Sequence, residues 1–99
     1  MAKTARITRK IAESLAIQAL GFMASDPERL GAFLAATGIG PEAIRRAAAD
    51  PSFLAGVLDY VAADEPLLLA VAEQAGLAPQ EIEHAQAVLS GRPWQREVP

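Results

Sequence analysis

One turn occurs twice in this chain. Gly38-Ile39-Gly40-Pro41-Glu42-Ala43-Ile44 is followed, 38 residues on, by Gly76-Leu77-Ala78-Pro79-Gln80-Glu81-Ile82. Each copy holds a glycine free to take positive φ and end one helix, an apolar residue that folds back on that helix, and a proline that opens the next. A joint of this kind requires helices on both sides of it. With Gly38 set on Gly76 the match extends outward, pairing Leu20 with Leu58, Phe22 with Tyr60, Asp26 with Asp64, Leu30 with Leu68 and Ala47 with Ala85. The unit that repeats is then about three short helices. A duplication or a repeated packing solution explains the shared Asp, Gly, Pro and Ile, and coincidence of helical grammar in an Ala- and Leu-rich chain is the other account. Two copies are too few for a solenoid, which needs roughly three or more, so the expected architecture is a compact bundle.

The rest of the chain supplies the other helix signals. A first helix starts near Thr8 or one turn earlier at Thr4, with Ile7, Ile11, Leu15, Gln18 and Phe22 at helical spacing and Ile17, Leu20 and Met23 widening the stripe. This predicts a largely buried helix. Ser25-Asp26-Pro27-Glu28 then offers two caps, Ser25 paired with Glu28 or Asp26 ahead of the proline. A second helix over 27–37 turns Leu30, Phe33 and Leu34 inward, and a third over 41–49 leaves Arg45 and Arg46 to solvent. Asp50-Pro51 opens a fourth helix, running to about Ala62, with Phe53, Leu54, Val57, Leu58 and Val61 on one side and Tyr60 at its edge. The fifth, from Asp64-Glu65-Pro66, is apolar nearly all round through Leu67, Leu68, Leu69, Val71 and Ala72, a pattern that predicts a central helix. The sixth spans about 79–89 and packs through Ile82, Ala85, Val88 and Leu89. No strand pattern competes, so the fold class is all-α, with about six short helices.

With 99 residues, of which 52% are hydrophobic and 21% charged, the chain makes a single domain, 1–99, with one modest core. Residues 92–99 hold the only tryptophan, Trp94, between two prolines and read as an extended or flexible tail; the sharper alternative docks Trp94 on the body or on a second subunit. No apolar run approaches the roughly 20 residues that span a bilayer. The basic start, Lys3, Arg6, Arg9 and Lys10, superficially resembles a targeting sequence, but Glu13 and Gln18 interrupt the apolar stretch behind it, so it is read as part of the fold. The absence of cysteine removes disulfides, thiolate metal sites and thiol nucleophiles and makes a reducing cytoplasm the expected location.

The net charge of −3 conceals an uneven layout. Seven of the nine basic groups lie in residues 1–46, whereas 47–91 contain no Lys or Arg against Asp50, Asp59, Asp64, Glu65, Glu73, Glu81 and Glu83. The chain is electrostatically two-ended.

Chemistry is sparse. Glu81 and the sole histidine, His84, have the Glu-x-x-His spacing of di-metal bundles, but such a site needs a second motif, and the matching position of the first copy is Arg45. A solvated helix face is the simpler reading. Ser14, Ser25, Ser52 and Ser90 lie beside caps or on helix faces far from that histidine, and no glycine pattern cradles phosphate. No enzyme and no cofactor is expected.

The second joint resembles the DNA-binding helix-turn-helix, with a small residue four before the turn glycine and a branched one six after it: Ala72, Gly76 and Ile82, with Leu77 packing beneath. The first copy departs at the small position, having Leu34, Gly38 and Ile44. The resemblance implies a recognition helix at 79–89, yet that helix carries Glu81 and Glu83 where phosphate contact needs Lys or Arg. The cationic alternative combines Arg45 and Arg46 with Arg6, Arg9 and Lys10. From Ile11 to Gly91, above all over Ser14–Phe22, Phe33-Leu34, Thr37-Gly38, Asp50-Pro51 and 54–58, the chain resembles a family of small bacterial helical proteins known mainly as a domain of unknown function. That resemblance implies an all-helical fold and brings no functional residues. The expected role is protein contact, as a homo-oligomer such as a dimer or as an adaptor, with Arg6, Arg9, Lys10, Arg45, Arg46 and Trp94 as the candidate interaction residues. Nucleic-acid binding through Arg45 and Arg46 is the alternative.

Overall fold

The computed structural model describes residues 7–91, and within them every regular element is helical. In order they are α1 (Arg9–Ala24), α2 (Pro27–Thr37), a 3₁₀ turn (Pro41–Ala43), α3 (Ile44–Ala47), α4 (Pro51–Ala62), α5 (Glu65–Ala75) and α6 (Pro79–Ser90). The expected tail, 92–99, lies outside the described residues.

The starts follow from their caps. Thr8, rather than Thr4, caps α1, its hydroxyl accepting from the Ile11 N–H at 3.1 Å. Asp26 caps α2 by accepting from the Glu28 N–H at 3.0 Å, while the Ser25 hydroxyl turns back to donate to the Phe22 carbonyl at 2.7 Å. Of the two caps open at this site, the aspartate is therefore the one in use. Asp50 and Asp64 repeat the arrangement at α4 and α5. Each such cap satisfies an N–H that the first helical turn otherwise leaves without a partner.

The two joints share their outline and differ in their bonds. Gly38 and Gly76 both adopt the left-handed conformation, at φ 76° and 73°. The Gly38 N–H donates to the Leu34 carbonyl at 2.8 Å, a single closing bond, whereas at the second joint the Leu77 N–H reaches the Ala72 carbonyl at 2.9 Å and the Gly76 N–H the Glu73 carbonyl at 3.2 Å. The first is an αL cap and the second a Schellman cap. α2 and α5 begin and end 38 residues apart, but the segments after them diverge. The expected helix over 41–49 is a 3₁₀ turn followed by a four-residue helix, against twelve residues in α6. A duplicated three-helix unit does not follow from the fold.

α1, α4 and α6 pack most extensively on one another and form the centre. Their buried side chains include Leu15, Leu20 and Met23 of α1, Leu54, Val57, Leu58 and Val61 of α4, and Ile82, Ala85 and Leu89 of α6. α5, expected to be central, instead packs from the side: Leu67, Leu68, Val71 and Ala72 are buried, but Leu69 is 48% exposed. Its apolar surface exceeds what α4 and α6 cover. The predicted stripe on α1 is also rotated. Ala12, Ala16 and Ala19 are fully buried, while Ile11 and Ile17 are 42% and 50% exposed and Gln18 faces solvent. α2 is held by Phe33, its one buried residue, whose ring meets Tyr60 edge-on at 5.1 Å and Phe53 at 6.0 Å.

Candidate functional site

The expected cationic residues divide into separate places. Arg9 and Lys10 are exposed in the first turn of α1, beside exposed Ile11. Arg45 and Arg46 are exposed on α3, which packs mainly against its preceding 3₁₀ turn, whereas α1 packs against α2, α4, α5 and α6. The two basic pairs therefore lie on elements that do not form a packed helix pair. Arg46 borders a shallow depression together with Asp50, so a carboxylate shares its surroundings. Arg6 and Trp94 lie outside the described residues.

Arg29 is the remaining described cation. Its guanidinium lies 5.0 Å from the Phe22 ring centroid and 4.0 Å from the Asp26 carboxylate, with both charged side chains some two-fifths exposed. Contacts of that exposure contribute little stability, about 0–1 kcal/mol each. The Asp26–Arg29 pair is the one ion pair among the described residues. The charges of α1's first turn and of the acidic half are thus not neutralised by each other within the described fold.

The acidic half contains a groove between α5 and the start of α6. Its apolar surface comes from Ala62 at the end of α4, Leu68 and Leu69 of α5, and Pro79 of α6; Glu65 and Glu83 stand at its edge. Glu65 and Leu69 are four residues apart and share one face of α5. The groove is open and has a volume of about 610 Å³, room for more than one side chain. Sequence reasoning missed this groove because it placed Leu69 in the core and counted Glu65 and Glu83 only as net charge. The available signal was that six consecutive apolar residues, Leu67 to Ala72, exceed the one face a peripheral helix can bury.

The residues singled out for a helix-turn-helix are packing residues in this structure. Ala72 and Ile82 are buried and Leu77 is half-buried against the core. α6 is one of the three central helices, and among its residues only Gln80 and Ser90 are fully exposed. A recognition helix presents a face that enters a groove of the duplex; the solvent-facing side of α6 carries Gln80, Glu83, His84 and Gln86 and no Lys or Arg. Glu81 is engaged locally: its carboxylate accepts from the Ala78 N–H at 2.8 Å, the reciprocal half of a capping box whose other half an alanine lacks. His84 is half-buried on the same helix. Among the described residues no three His, Cys, Asp or Glu side chains converge as metal ligands, and no polar or charged side chain is buried.

No described helix is long and apolar enough to cross a membrane. Comparison with curated proteins and with solved structures finds no match. The chain belongs to the family described as protein of unknown function (DUF3572), which residues 9–92 match.

Proposed function

We propose that this member of the family is a cytoplasmic protein-binding module, acting through contact with a second copy of itself or with another protein. The observation that carries the reading is the placement of large exposed apolar side chains near charged ones: Ile11 in the turn that holds Arg9 and Lys10, Leu69 in the groove with Glu65 and Glu83. Covering an exposed aliphatic side chain is favourable at about 25 cal/mol per Å² of apolar surface, and the flanking charges steer and select the partner that covers it.

Nucleic-acid binding draws support only from the exposure of Arg45 and Arg46, two cations on a four-residue helix. The test is light scattering behind size exclusion at low and high salt, with the absorbance ratio of the same peak. Association that weakens with salt and is free of nucleic acid is expected. A monomer at both salts that retains DNA or RNA, and loses it on Arg45→Ala with Arg46→Ala, would replace this reading with the alternative.

A further inference from the structure

We infer that the first turn of α1 in one molecule docks in the α5/α6 groove of a second copy, so that molecules join head to tail. This rests on the protein-contact reading above and names its surfaces and its partner.

The two surfaces complement each other in three respects. The first is charge. α1 opens with Arg9 and Lys10 and adds the positive end of its helix dipole, while the groove is edged by Glu65 and Glu83 in a stretch, 47–91, that has no Lys or Arg. The second is apolar surface. Ile11 and Leu69 are two of the three large hydrophobic residues left exposed among the described residues; Ile11 follows Arg9 and Lys10 in the first turn of α1, and Leu69 lines the groove with Glu65 and Glu83. An aliphatic side chain needs a floor to cover it, and Leu68, Pro79 and Ala62 beside Leu69 form one. The third is vacancy. Among the described residues neither patch forms an ion pair with the other. A second copy brings both missing halves at once, since each molecule carries one of each.

The geometry has a consequence for assembly. The joined surfaces are different patches: a pair that exchanges both contacts closes as a two-fold dimer, and a pair that makes one leaves a free turn and a free groove from which a ring or chain extends.

That property defines the experiment. The full chain is compared with Arg9→Glu/Lys10→Glu and with Glu65→Lys/Glu83→Lys by light scattering behind size exclusion across concentration, at low and high salt. The unaltered protein is expected to grow with concentration and to lose association by roughly tenfold at high salt, where exposed charges are screened. Each double variant alone is expected to be monomeric. Their mixture is expected to regain association, because the basic turn of the second meets the acidic groove of the first and the reversed turn of the first meets the reversed groove of the second. Ile11→Ser and Leu69→Ser, at side chains already half open to solvent, weaken association by about tenfold without reversing a charge, and helical circular dichroism reports that each variant is folded. A mixture that stays monomeric overturns the inference. Self-association of the unaltered protein that persists undiminished in all four variants overturns this surface and leaves the protein-contact reading in place. An unaltered protein that is monomeric at every concentration and salt overturns the inference together with self-association.

Discussion

Three glycines stand inside helices with no structural reason to be glycine. Gly21 in α1, Gly31 in α2 and Gly56 in α4 are exposed, none has positive φ, and a Cβ built on any of them meets nothing within 4 Å. Glycine in a helix interior loses more chain entropy on folding than alanine and disfavours the helix by about 0.5–1 kcal/mol. Each Gly→Ala change should therefore stabilise the fold by that amount. The three sites lie on different helices with no shared neighbour, so their effects should add to about 2 kcal/mol in the triple variant. For a domain of this size that raises Tm by about 4–8 °C per kcal/mol. Gly76→Ala is the control of opposite sign: its surroundings are equally open, but φ is +73°, where an L-residue is disfavoured by about 1–2 kcal/mol. Thermal and urea unfolding, read by circular dichroism, measures all four. The reasoning is refuted if the three helix variants unfold at or below the temperature of the unaltered protein, or if Gly76→Ala is neutral.

Two further outcomes follow from the packing. Phe33→Ala should destabilise by about 3–5 kcal/mol, since it empties a fully buried site and removes two edge-to-face ring contacts; because Phe33 is the one buried residue of α2, amide hydrogen exchange should accelerate over 27–37 before it does in α4 or α6. Asp64→Ala removes the carboxylate that accepts from the Leu67 N–H and should cost about 1 kcal/mol in urea denaturation, with Asp64→Asn recovering most of it.

How legible the chain was depends on which physical rule each feature obeys. Helix ends were readable because caps are local: Asp26, Asp50, Asp64, Gly38 and Gly76 act within three or four residues, and all five perform the roles their spacing implies. The facing of the helices was not local. Leu69 looks like core among Leu67, Leu68 and Val71, and only the side-on placement of α5 against α4 and α6 leaves it open. The charge division was visible as composition, yet its pairing with Ile11 and Leu69 required knowing which apolar residues fail to be covered. Arg45 and Arg46 were correctly assigned to solvent, while the helix bearing them is shorter than expected because Pro41 starts a 3₁₀ turn rather than an α-helix.

The rotation of α1 has a cause that also bears on the interaction surface. Ala12, Ala16 and Ala19 lie on the buried face of α1, where methyl-sized side chains let helices approach closely, with Met23 on the same face and Leu15 and Leu20 at its edges. Successive residues turn about 100° around a helix. Ile17 follows Ala16 by one such step and Ile11 precedes Ala12 by one, so the two isoleucines flank the alanine seam on opposite sides. Rotating α1 to bury either of them would open the other further and drive a branched side chain into space shaped for a methyl group, an overpacking that typically costs about 1–3 kcal/mol. The same alanines that draw the three central helices together therefore hold Ile11 outside, in the turn that carries Arg9 and Lys10, where the described residues leave it exposed.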